Sequence, residues 1–177
     1  MIYPYPDLDI RFNMKIDTKT MVRSSVIGSF LYVVYISFSN ILYLELLTTM
    51  LLTFSQIVSR RVIINASILF SILVNVLNGP QIWHLMYLFI YPFYAYIFSE
   101  NKAKFEKHEK VIPFVGAICS GIVGIVLDIP FLLFGKYVTI YYLLSSIKTS
   151  VIQGTLTYLS LMLLYKPMKK IFIKIVQ

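Results

Sequence analysis

Charge is scarce in this chain. Asp, Glu, Lys and Arg together make up 14% of its 177 residues, where a soluble domain carries about 25%. With 58% hydrophobic residues, too few polar side chains remain to cover a globule in water. That excludes a soluble domain, and it equally excludes intrinsic disorder. Acids are scarcer than bases, eight against sixteen, which leaves a formal charge of +8. Cysteine occurs once, as Cys119 within an apolar run, so neither an internal disulfide nor a cysteine-based zinc site is available. Catalytic signatures are missing as well. The chain has no Gly-x-x-x-x-Gly-Lys-Ser/Thr loop, no His-Glu-x-x-His, no Gly-x-Ser-x-Gly and no Asp pair of the intramembrane-protease kind. Hydrolysis of ATP by the first of these routes is excluded, and no catalytic residue is assigned.

What is present is a series of long uncharged runs. Twenty-one uncharged residues separate Arg23 from Glu45, and about 20 apolar residues cross a hydrocarbon core of roughly 30 Å. A first span over 22–40 follows; it is too long for a signal-peptide core and lacks a cleavage pattern, so it is retained. Only fourteen uncharged residues lie between Glu45 and Arg60, so a second span must begin near Ile41 and carry Glu45 close to one membrane face. The 38 uncharged residues between Arg61 and Glu100 suffice for two crossings, 62–77 and 82–99, with Asn78-Gly79-Pro80 as the turn between them. A charged stretch, 100–110, belongs in water. A fifth span, 111–134, contains Asp128. A sixth, 138–165, contains Lys148 and stops at Lys166-Pro167. The expectation is an all-α, polytopic membrane protein of six transmembrane helices: an N-terminal tail (1–21), a membrane domain (22–165) and a basic C-terminal tail (166–177). Residues 1–13 read as a loose tail or an upstream start ahead of Met14.

Fourteen of the sixteen cations fall on one side of these spans, before span one, between two and three, between four and five, and after six; Lys136 alone falls on the other. Positively charged loops stay cytoplasmic, so both termini are expected in the cytoplasm. The +8 charge thus reports topology, and a nucleic-acid partner is set aside.

Ions within a span are costly and are functional-site hypotheses by default. Glu45, Asp128 and Lys148 are expected in the outer half of the bundle, where they can meet. The external end of span four adds Trp83, His84, Tyr87 and Tyr91, the last three on one face by their i, i+3, i+7 spacing. Asn75, Asn78 and Gln81 flank it, and Tyr141 and Ser145 share the face of Lys148. Such a set suits an outward-opening cavity for a small polar solute bearing a ring. Each residue also has a plainer role: Asp128 and Lys148 as a structural pair, Glu45 as an interfacial acid, Trp83 as part of the aromatic belt. A metal site is not expected, since His84 and His108 fall on opposite sides. Small residues form two stripes that allow close helix approach. In span one these are Ser24 with Gly28 and Ser25 with Ser29; in span five, Gly116, Ser120, Gly124 and Asp128.

The chain resembles the substrate-binding S component of energy-coupling factor transporters. The resemblance runs over most of 15–174. It rests on the basic start Lys19 to Arg23 before a small-residue first span, on Leu44-Glu45-Leu46-Leu47-Thr48, on Arg60-Arg61, on Gly79, Trp83, Tyr87 and Pro92, and on Gln153-Gly154 with Lys166-Pro167. It implies a prokaryotic plasma-membrane subunit that captures a vitamin-like solute outside. A transmembrane coupling subunit and two ATPase subunits would use the ATP, with no cofactor in this chain. It implies docking through Ser24, Ser25, Gly28 and Ser29, where the family carries Ala-x-x-x-Ala, and a solute site at the external side formed by helices four to six, in agreement with the solute contacts expected from the charges and rings at Asp128, Lys148, Trp83, His84, Glu45, Asn78 and Tyr87. Two other classes remain open: a cell-envelope membrane scaffold, with packed polar residues and no ligand, and a small intramembrane enzyme or ion-coupled carrier using Asp128 and Glu45 for proton transfer.

Overall fold

A computed structural model describes residues 17–41 and 44–176; the tail expected over 1–13 lies outside them. The described residues are helical, with no strand among them. In chain order the helices are α1 (Thr18–Phe38), α2 (Leu47–Ser55), α3 (Arg60–Asn78), α4 (Ile82–Glu100), α5 (Lys102–Lys107), α6 (Ile112–Asp128) and α7 (Lys136–Val176). Single 3-10 segments precede and follow α6, at Glu109–Val111 and Ile129–Phe134.

Among the described residues, three stretches are long and apolar enough to cross a membrane: Thr18–Phe38, Arg60–Asn78 and Glu109–Phe134. The distribution of side chains fits a lipid surrounding. Phe89 and Leu163 are each 70% exposed, while Thr48, Ser71, Ser120 and Thr157 are fully buried. Hydroxyls inside and large hydrocarbons outside reverse the usual order for water, and lipid rewards that order, because it cannot hydrogen-bond a polar group.

Two expectations fail on helix length. The second span was to run as a helix from Ile41, yet helix begins only at Leu47 and ends at Ser55. Nine residues rise about 14 Å, under half of a core of roughly 30 Å. The sixth span was to stop at Lys166-Pro167, yet α7 continues through Pro167 to Val176 as 41 residues. The missing amide of Pro167 removes one helical hydrogen bond without ending the helix.

Packing explains both departures. α1 lies on α3, and α3 on α4, in one row; α6 and α7 form a second, closely packed pair. α2 sits between them and touches all five long helices. Eight of its nine residues are buried, so its hydroxyls turn inward: Thr53 Oγ1 donates to Thr49 O (2.8 Å) and Ser55 Oγ to Leu52 O (2.6 Å). Just beyond α2, Gln56 Nε2 donates to Phe98 O (3.2 Å) and ties this end to α4. The end of α7 is held by rings: Phe172 packs on Phe54 at 4.5 Å and on Phe30 at 5.8 Å between centroids.

The small-residue stripes face inward in part. A Cβ on Gly28 would lie 2.8 Å from Ala66 O, so α1 and α3 approach to a distance only glycine permits. Ser24 is buried with its Oγ 3.2 Å from Val62 O. Ser25 and Ser29 are exposed on the outer side of α1. The turn expected at Asn78-Gly79-Pro80 is present, with Gly79 at φ +88°, a backbone state open to glycine.

Candidate functional site

Glu45 occupies the entry to α2. Its Oε1 accepts from Thr48 N (2.8 Å), an amide that has no partner within the helix, and from Thr48 Oγ1 (3.0 Å). Its Oε2 accepts from Ser120 Oγ on α6 (2.7 Å), and Ser120 in turn accepts from Thr157 Oγ1 on α7 (2.9 Å). One carboxylate thereby joins α2, α6 and α7, and the positive end of α2 offsets its charge.

Above this junction lies a cavity of about 350 Å³. Glu45 and Asp128 line it, with the rings of Trp83, Tyr87, Tyr91, Phe131 and Tyr142 as walls. α7 contributes the hydroxyls of Ser145, Ser146 and Thr149 and the amide of Gln153. Phe131 stands between Trp83 (6.4 Å) and Tyr142 (4.2 Å), both stacked, so three elements are bridged by one ring series. Asp128 is the last residue of α6. Its Oδ2 is buried without a hydrogen-bond partner, at the point where α6 passes into the 3-10 segment Ile129–Phe134. The chemistry on offer is binding: donors, acceptors and flat apolar walls around a volume at the small end of ligand sites.

Of the seven residues expected at a solute site, Glu45, Trp83, Tyr87 and Asp128 come together here. Lys148 does not. It is exposed on α7, and among the described residues no ion pair joins it to Asp128. His84 is buried away from the lining, its Nδ1–H donating to Gly79 O (2.8 Å); Nε2 therefore accepts, and Tyr35 Oη donates to it (3.3 Å). Asn78 accepts from Tyr32 Oη (3.0 Å) and secures the α3 end to α1. Tyr141, expected beside Ser145, is 70% exposed; its neighbour Tyr142 takes the lining position. Phe131, Tyr142, Ser146 and Thr149 were not expected. They carry no charge; the register of α7 decides the role of Tyr142, Ser146 and Thr149, and the 3-10 segment after α6 that of Phe131.

A second groove of about 450 Å³ runs between α6 and α7 along Phe114, Ala117, Ile118, Val151, Gly154 and Tyr158. It holds no ionisable group other than a phenol, and its apolar rim faces outward, which suits a lipid chain. A Cβ on Gly154 would lie 3.0 Å from Ala117 O, so this pair of helices is also in close contact. Among the described residues no group of three His, Cys, Asp or Glu is placed to hold a metal ion.

Comparison with known proteins returns no match: no family model, no curated protein and no solved structure is significantly similar to this chain.

Proposed function

We propose that this chain is the solute-binding S subunit of an energy-coupling factor type importer, a multi-pass protein of a prokaryotic plasma membrane. In this reading α4 and α7 cross the bilayer alongside the three more apolar stretches. The segment containing α2 makes the second passage as a broken helix, and both termini lie in the cytoplasm. Irregular backbone at membrane depth is tolerated where protein or a cavity surrounds it, and α2 is surrounded by helices on every side. Broken helices recur at transporter binding sites for the same reason.

The observation that carries the reading is the cavity itself. It is a polar, aromatic-walled volume next to the α3–α4 turn and the α6–α7 connection, the ends that the cation asymmetry assigns to the outside. The chain that encloses it has no nucleotide-binding loop, so energy would come from ATPase partners through a transmembrane coupling subunit. Ser25 and Ser29 are the exposed part of the expected docking stripe; Ser24 and Gly28 are used against α3.

Tagged chain purified from its native membrane tests this directly. An S subunit co-purifies with a coupling subunit and ATPases, retains solute alone, and transports in liposomes only with them. Transport by the chain alone would make it an ion-coupled carrier instead. A chain with neither ligand nor transport partners would be a scaffold.

A further inference from the structure

We propose that the cavity selects a compact, ring-bearing organic cation over neutral or anionic solutes of the same size; this rests on reading the cavity as the solute site. Two carboxylates, Glu45 and Asp128, line it, and none of its lining residues is Lys, Arg or His. Lys148, one residue from the lining Thr149, is exposed on α7, and Lys136 is exposed at the helix start.

The two carboxylates differ in how well they are satisfied. Glu45 has three hydrogen-bond donors and the N-terminus of α2. Asp128 has a buried, unpartnered Oδ2 where α6 passes into the 3-10 segment Ile129–Phe134. A shielded carboxylate without a partner is unfavourable, and a bound cation supplies the missing counter-charge. The walls favour the same sign. Aromatic faces are electron-rich and attract a cation within about 6 Å of a ring centroid; of the five rings that line this cavity Phe131 is covered by Trp83 and Tyr142, and the other four form the wall. A metal ion is a poorer fit, because no group of three ligating side chains is assembled among the described residues. An anionic solute would face two carboxylates with no compensating cation.

The test uses purified full-length chain in nanodiscs and three ring probes of similar size: benzyltrimethylammonium, benzyl alcohol and benzoate. Thermal stabilisation is expected with the first, with at least about tenfold weaker binding of the other two, the size of one desolvated cation–π and charge contact. Asp128→Asn should lose the response and Lys148→Gln should keep it. If Asp128→Asn does not fold, Trp83→Leu serves, since removing a wall ring should also weaken the cation response. Equal or stronger binding of benzyl alcohol or benzoate, or an undiminished cation response in these cavity variants, overturns the proposal. Co-purification of coupling subunits is scored separately. A complex that forms around a chain indifferent to the cation sinks the substrate class and leaves the subunit reading standing. A chain that binds the cation but brings no coupling subunit with it from its native membrane does the reverse.

Discussion

Gly28 fixes the separation of α1 and α3, and the neighbouring Ser25 points away from that contact. The same substitution at the two positions should therefore have opposite consequences. Gly28→Val drives a side chain into Ala66 O, 2.8 Å from where a Cβ would stand. It should cost about 1–3 kcal/mol as overpacking, read as a lower melting temperature in detergent. Ser25→Val should leave the melting temperature unchanged and, on the importer reading, weaken recovery of a coupling subunit. The site residues show how far a sequence can be read at this scale. Glu45, Asp128, Trp83 and Tyr87 stand out as ions or large amphipathic rings in apolar runs, and all four reach the cavity. Lys148 stands out equally and does not. Successive residues on a helix turn by about 100°, so Thr149 faces in while Lys148 faces out. The apolar residues of α7 circle the whole helix, so nothing local indicates its inward face. His84 misled for another reason: its partners, Gly79 O and Tyr35, come from a turn and from a distant helix.

The two elements misjudged in length, α2 and α7, were bounded by charge, and charge spacing limits where a segment passes without stating how much of it is helix. Glu45 ends the irregular entry because its carboxylate caps α2. Pro167 does not end α7, because the chain beyond it has somewhere to pack. Lys169 and Lys166 reach Glu109 at 3.6 and 3.7 Å, and Lys169 lies over the Tyr165 ring at 5.4 Å. Burial pulls the Lys169 ammonium down, but Tyr165 and the carboxylates of Glu109 and Glu106 outweigh it and hold Lys169 above its ordinary range. An ammonium held more firmly in the folded chain contributes its stability in full below the ordinary lysine value of about 10.4. That contribution is lost as pH rises through the raised value. Melting temperatures across the alkaline range should fall less steeply for Lys169→Arg, whose guanidinium stays charged. A second check is proteolytic. Phe172→Ala removes the ring seated between Phe54 and Phe30, and trypsin should then cleave after Lys169 and Lys170 faster than in the parent chain.

For the whole molecule, the cation distribution and the outward hydrocarbon surface agree on a bilayer, and orientation is open to a direct assay. In a Cys119→Ser background, a cysteine at Lys104 should react with an impermeant thiol reagent only after the membrane is opened. One at Lys136 should react from outside in intact cells. The reverse pattern would invert the chain and place the cavity on the cytoplasmic side. How the helices share the interior was not legible, since the row of α1, α3 and α4, the pair of α6 and α7, and the central position of α2 depend on contacts between distant segments. The close approaches at Gly28 and Gly154 mark where those contacts are tightest. α7 also joins two ends of the molecule. Gln153 belongs to the cavity wall and Phe172 to the ring contact with α1 and α2, nineteen residues along one helix, or about 28 Å of continuous rise. That helix is a mechanical shaft. A load applied to its basic end arrives at the wall of the cavity without crossing a loop, so a grip on that end is also a grip on whatever the cavity holds.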